Sequence, residues 1–196
     1  MLLDELKKYT IVLASQSPRR KELLEGMGLR FVIEKPVTEE KNPSNLASSQ
    51  LAEHLAMQKA KAISSLYNLD NAIIIGGDTI VCTDDFVLGK PQNEEDAKNM
   101  LKQLSGKKHI VISGLCLLHK EKTICRHDVT DVYFKDLSTD EIDYYVSRYK
   151  PFDKAGAYGI QEWIGYTAIE RIEGSYYNVM GLPTHLLWEM LESISN

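Results

Sequence analysis

Cysteine is scarce in this chain: 196 residues hold three, Cys82, Cys116 and Cys125. No two of them stand in a CxxC or other metal-ligand spacing, which excludes a disulfide framework and a zinc module. Each lies in an apolar or β-like run, which predicts buried thiols of the kind kept reduced in a cytosol. The five histidines are scattered, with no pair at zinc-ligand spacing. No apolar run reaches transmembrane length, and Met1-Leu-Leu-Asp-Glu-Leu-Lys-Lys8 lacks a signal-peptide core, so a cytoplasmic protein is expected. Basic residues are outnumbered, and the net charge is −5. No broad basic field suits the chain to nucleic acid or to an anionic membrane, so any anion site has to be a local pocket. There is no GxxxxGK[ST] loop and no GxGxxG after a strand. No GxSxG surrounds Ser15 or Ser17, and no histidine is placed to activate either hydroxyl.

What is present is ordinary globular material. Apolar residues make up 43% and charged residues 26%, so the chain reads as one domain, 1–196, with length enough for a substantial core and for two lobes. There is no repeat or low-complexity tract. Strands are predicted at 10–14 and 31–34, and a helix at 18–27 closed by Gly28. A polar loop over 35–44 leads into a long helix from 45 to about 66. Two apolar strands, 72–76 and 79–83, flank Gly77-Asp78. Asn93 caps a helix that Gly106 ends, and 109–118 with 122–134 form a hairpin turning at Lys120-Glu121. Ser138-Thr-Asp-Glu141 is a capping box for a helix to about 149. Strand-like pieces follow near 157–160 and 167–172, and Pro183 starts a final amphipathic helix. Strands alternating with helices around a central hairpin predict an α/β domain with a mixed sheet and flanking helices.

The segment Ile11-Val-Leu-Ala-Ser-Gln-Ser-Pro-Arg-Arg20 carries the first chemical signal. Ser17 is a favoured helix N-cap and Pro18 a favoured first residue. Arg19 and Arg20 then fall in the first turn, where the helix dipole is already positive and structure alone prefers acids. They are either solvated surface charges or, with the free N–H groups, an anion site. Asp78 is an acid inside the strongly apolar Ile73-Ile-Ile-Gly-Gly-Asp-Thr-Ile-Val81. It is either a turn aspartate capped by the amides of Gly76 and Gly77 or a general base or metal ligand at a strand end. On a helical wheel Leu51, Leu55, Ala62 and Leu66 fall within about 60° of one another, and Lys59 projects about 20° beyond Leu66. That lysine either snorkels or points into a polar cleft. Lys90, in Leu88-Gly-Lys-Pro91, is an extended lysine beside a stiff turn, able to reach a phosphate. Glu39 and Glu40 lie in a polar loop, where solvated charge is the ordinary reading.

These stretches together resemble the Maf family of nucleoside triphosphate pyrophosphatases, in order and over nearly the whole chain. The match comprises Leu13-Ala-Ser-Gln-Ser-Pro-Arg-Arg20 with Glu22-Leu-Leu24, Ala56-x-x-Lys59-Ala60, Gly76-Gly-Asp-Thr-x-Val81, Gly89-Lys-Pro91 and Ala155-Gly-Ala-Tyr-Gly-Ile-Gln161. The resemblance implies an inosine triphosphatase-like fold with two lobes around a deep cleft. It also implies a hydrolase acting on acid anhydrides, with a divalent metal (Mg²⁺ or Mn²⁺), in a house-cleaning role. Tyr158-x-Ile-Gln161 resembles the branch acting on dTTP and UTP, modified pyrimidine nucleotides included, and not the 7-methyl-GTP branch. By matched position Asp78 corresponds to the proton acceptor, and Arg19, Thr79 and Gln161 to substrate choice. Ser15, Arg20, Lys59 and Lys90 correspond to the phosphate cleft, and Glu39 to the loop glutamate that joins Asp78 at the metal, with Glu40 the alternative. Thr38-Glu39-Glu40 stands where the family usually has Asp-Glu, and Glu162 where glycine is usual after the glutamine. The expected partner is a small nucleotide, with no nucleic acid or membrane, and a homodimer is implied. Two other classes remain open: a nucleotide-binding regulator of cell division or septum formation, and an acyl or phosphoryl transferase using Ser15.

Overall fold

In a computed structural model of the chain, residues 1–38, 46–83 and 86–195 are described below. Their elements run α1 (Leu2–Leu6), β1 (Thr10–Ala14), α2 (Pro18–Gly26), β2 (Phe31–Glu34), α3 (Ser48–Ser64), β3 (Ala72–Cys82) and β4 (Val87–Leu88). After them come α4 (Glu94–Leu104), β5 (Lys108–His119), β6 (Lys122–Phe134) and α5 (Thr139–Tyr149). A 3-10 turn, Ala155–Ala157, leads to α6 (Trp163–Thr167), β7 (Ile169–Glu173), α7 (Tyr176–Met180) and α8 (Thr184–Ser195). Seven strands form one sheet in the order β2-β1-β3-β5-β6-β7, with β4 alongside β3. β1 is parallel to β2 and β3, while β4 and β7 run antiparallel to their neighbours, so the sheet is mixed and the fold α/β as expected. Among the described residues no helix is long and apolar enough to cross a membrane.

Local chemistry sets most element starts. Ser17 Oγ accepts from the Arg20 amide at the head of α2, and Asn93 Oδ1 from the Asp96 amide at the head of α4. Ser138 and Glu141 form the reciprocal box that opens α5. Gly28 and Gly106 both adopt positive φ just past a helix end, as the sequence suggested.

Two of the expected strand assignments fail. Residues 72–82 are one unbroken strand, not two strands around a turn. Gly76 and Gly77 keep extended backbone, and they are glycine because neighbouring elements press on both faces there. The second failure lies at 157–160. Gly156 and Ala157 take left-handed φ of 67° and 59°, which breaks an extended run, so a 3-10 turn and a loop replace the expected strand.

The chain divides into two compact units, one of residues 1–78, 113–128 and 181 onward, the other of 79–112 and 129–180. In the first, α3 lays Ala56, Ala60 and Ile63 against Val12 and Ala14 of β1, Ile74 of β3 and Cys116 and Leu118 of β5. The three cysteines form no disulfide; Cys82 and Cys116 are buried, while Cys125 is only part-buried on β6.

The second unit packs α4 and α5, through Leu101, Leu104, Ile142 and Tyr145, with Val111, Val132 and Phe134 of β5 and β6. His109 lies within it, edge-on to Phe134 and Tyr158, with its Nε2 2.8 Å from the Tyr158 hydroxyl. Burial lowers the pKa of His109 to about 4. The unfolded chain therefore binds a proton first, and stability falls as pH drops from about 6.5 toward 4. Between pH 7 and pH 5 this group should cost about 2 kcal/mol. Urea unfolding of His109→Gln should show a difference between those pH values smaller by that amount.

Candidate active site

Asp78 owes its position to the glycines before it. Gly76 and Asp78 stand two residues apart on β3 and so share the face beneath α3. A Cβ on Gly76 would lie 2.1 Å from the Ala56 carbonyl oxygen and 2.9 Å from the Ala60 Cβ, so the helix backbone rests directly on the strand. Gly114 of β5 admits the preceding turn in the same way, its would-be Cβ 2.2 Å from the Ala52 carbonyl oxygen. Ala52, Ala56 and Ala60, four residues apart, are the small face that permits this approach. The buried stripe of α3 is Ala52, Leu55, Ala56, Ala60 and Ile63. Of the stripe expected from Leu51, Leu55, Ala62 and Leu66, Leu55 belongs to it, while Ala62 and Leu66 are exposed.

Lys59 flanks this stripe one turn after Ala56, and its ammonium forms an ion pair with the Asp78 carboxylate. Each side chain is only 14% exposed. Lys59 thus pairs within the protein, and Asp78 stands in a strand and not in a turn.

Gly77 presents its bare face to the other side of β3, where a Cβ would lie 3.2 Å from Arg20 Nε. Arg20 is buried at the start of α2. Its Nε donates to the Gly181 carbonyl at 2.8 Å and its Nη1 to Ser15 Oγ at 3.2 Å. Ser15 Oγ also accepts from the Ser17 amide at 3.1 Å. Burial lowers the pKa of Arg20, the charge of Asp78 opposes that, and Arg19 adds to it. This accounts for a cation at the wrong end of a helix: Asp78 supplies the counter-charge that the dipole does not. Arg19 beside it is half-buried. The first unit thus gathers Ser15, Arg20, Lys59 and Asp78, with Arg19 at Arg20.

The second unit holds the remaining candidates. Thr79 follows Asp78 on β3 and is half-buried; Lys90 is exposed between β4 and α4. The Gly89 carbonyl accepts from the Gly156 amide at 3.1 Å, which ties the Lys90 loop to the segment that carries Gln161. Gln161 is half-buried, and its Oε1 is fully buried with no hydrogen-bond partner among the described residues. Sequence reasoning named Glu162 but missed Tyr145 and Lys154, which contact its carboxylate; neither carries a local signal of that contact.

Glu39 and Glu40 lie outside the described residues. Among the described ones, no three His, Cys, Asp or Glu side chains converge to hold a metal ion. Asp78 is a single hard oxygen donor, which suits Mg²⁺ or Mn²⁺ only when other oxygens complete the shell.

A carboxylate paired with a lysine and under the charge of an arginine suits proton transfer beside an anion. The family described as Maf-like protein matches residues 10–194. The chain belongs to the Maf family. A Porphyromonas gingivalis protein named dTTP/UTP pyrophosphatase is 51% identical over 193 residues, covering 97% of each chain. Relatives of the same name from Phocaeicola vulgatus and Flavobacterium johnsoniae are 48% and 46% identical over 194 residues. They cover 98% and 99% of this chain and the whole of their own.

Proposed function

We infer that this protein hydrolyses dTTP and UTP to the nucleoside monophosphate and pyrophosphate, as a house-cleaning nucleoside triphosphate diphosphatase. The observation that carries the chemistry is the carboxylate of Asp78, paired with Lys59 and under the charge of Arg20, in a Maf chain. A triphosphate brings about four negative charges, and positioning it needs several cations. Arg20, Lys59 and Lys90 supply fixed positive charge, and Ser15 a hydroxyl.

Asp78 accepts the proton of the attacking water. The water oxygen bonds to the α-phosphorus as the bond from that phosphorus to the αβ-bridging oxygen breaks, and pyrophosphate leaves. The Lys59 ammonium orients the carboxylate. A divalent cation bound by Asp78, with Glu39 and the substrate's own oxygens, would neutralise phosphate charge. Gln161 faces the base, offering an acceptor and a donor to the adjacent N–H and carbonyl of a uracil or thymine. Arg19 and Thr79 contribute to substrate choice.

Purified protein with Mg²⁺ or Mn²⁺ should release pyrophosphate from dTTP and UTP in a coupled assay. No turnover across a panel of ordinary and modified triphosphates would end this reading.

A further inference from the structure

Glu162 is an acid next to the glutamine assigned to the base, and it is not a solvated charge: its side chain is 19% exposed. The carboxylate pairs with Lys154 Nζ at 3.1 Å, and Lys154 itself is only 9% exposed. The same carboxylate accepts the Tyr145 hydroxyl. Tyr145 is fully buried on α5, and its oxygen also accepts from the Gly159 amide at 3.1 Å. Burial, then the bond to Glu162, push the Tyr145 phenol well above its ordinary pKa, so it stays a donor.

The loop from Lys154 to Glu162 is therefore closed at its ends by an ion pair and held in the middle, at Gly159, by one hydroxyl. Packing adds to this, since a Cβ on Gly159 would sit 3.1 Å from both Glu162 Cδ and Lys154 Cε. Gln161 lies inside the closure, and its buried Oε1 has no partner among the described residues. A buried acceptor left unpaired is costly, so a ligand donor is expected there. Uracil and thymine present a ring N–H; cytosine presents a bare ring nitrogen at that place.

We propose that Glu162 is a positioning residue that, through Tyr145 and Lys154, holds Gln161 to read the N–H edge of the pyrimidine and so sets the discrimination of UTP over CTP. This rests on the reading that Gln161 faces the base. Without the carboxylate the loop keeps its backbone turns but loses both side-chain ties, and Gln161 Oε1 is no longer fixed in one orientation.

Steady-state kinetics with UTP and CTP on the parent, Glu162→Gly, Glu162→Gln and Tyr145→Phe, alongside thermal melts, test it. In Glu162→Gly the ratio of kcat/KM for UTP over CTP should fall about tenfold, mainly through a higher KM for UTP. Glu162→Gln keeps an acceptor for Tyr145 and should retain most of the discrimination. A merely structural role would instead lower activity on both nucleotides alike and leave the ratio alone. A folded Glu162→Gly whose ratio stays within about twofold of a selective parent overturns the proposal by itself. Should Glu162→Gly not melt cooperatively, Tyr145→Phe carries the same expectation and the same contrary result. A parent inactive on both nucleotides overturns the pyrophosphatase reading, and this proposal with it.

Discussion

Asp78→Asn turns over UTP and dTTP about three orders of magnitude more slowly than the parent, the range expected when a positioned proton acceptor is removed. The substitution keeps the side chain's shape and one oxygen beside Lys59, but removes the charge that takes up the proton. Nucleotide binding, read by calorimetry with metal omitted, should hold or tighten. An anion that faced the triphosphate has gone, while Lys59 and Arg20 remain. The variant should fold, with a stability loss of about 1–3 kcal/mol from a part-buried ion pair that has lost one charge. Glu189→Gln removes an exposed ion pair with Arg126 and serves as a control with unchanged turnover. If Asp78→Asn keeps turnover within about tenfold of the parent, Asp78 is not the proton acceptor. If the variant loses hydrolysis but a cellular effect persists unaltered, nucleotide binding alone accounts for that effect.

Gly76→Ala should cost far more than a single added methyl usually does. The added carbon would meet the Ala56 carbonyl at 2.1 Å and the Ala60 amide nitrogen at 3.0 Å. These are backbone atoms of a helix and cannot swing aside as a side-chain end would, so α3 has to shift. Overpacking of this kind costs about 1–3 kcal/mol, and the upper end applies where backbone is struck. At about 2–4 °C per kcal/mol for a chain of this size, calorimetry should show Tm falling by about 6–12 °C. Activity should fall further than the folded fraction does, because Lys59 rides on the displaced helix. Gly26→Ala is the control: it sits at the end of α2, and an added carbon meets nothing within 4 Å. Its Tm should hold or rise. A Gly76→Ala protein that melts within about 2 °C of the parent would mean that α3 does not depend on this contact.

Gly76 also marks where sequence reading stops. A glycine pair beside an acid can signal a turn or a close approach, and only the neighbour decides which. That neighbour, Ala56, lies on another element, so the strand 72–82 was legible as apolar but not as continuous. The start of α2 was legible because its cap is local: Ser17 and Pro18 act within one turn. For the same reason α4 and α5 begin where Asn93 and Ser138 place them.

The helices α1, α6 and α7 have five residues each, too few to show a period. Within the site, residue types at motif positions singled out Asp78, Lys59 and Arg20. The pairing of Lys59 with Asp78, and the Gly181 carbonyl under Arg20, are tertiary facts. Tyr145 and Lys154 were invisible for the same reason: each meets Glu162 across a loop, and neither position differs in composition from an ordinary helix face or loop.

The central claim is attack by water at the α-phosphorus with departure of pyrophosphate. Hydrolysis of UTP in water enriched in heavy oxygen, followed by mass spectrometry of the products, tests it most directly. The account predicts that one heavy oxygen enters the UMP and none the pyrophosphate. Heavy oxygen in orthophosphate, with UDP as the other product, would contradict it.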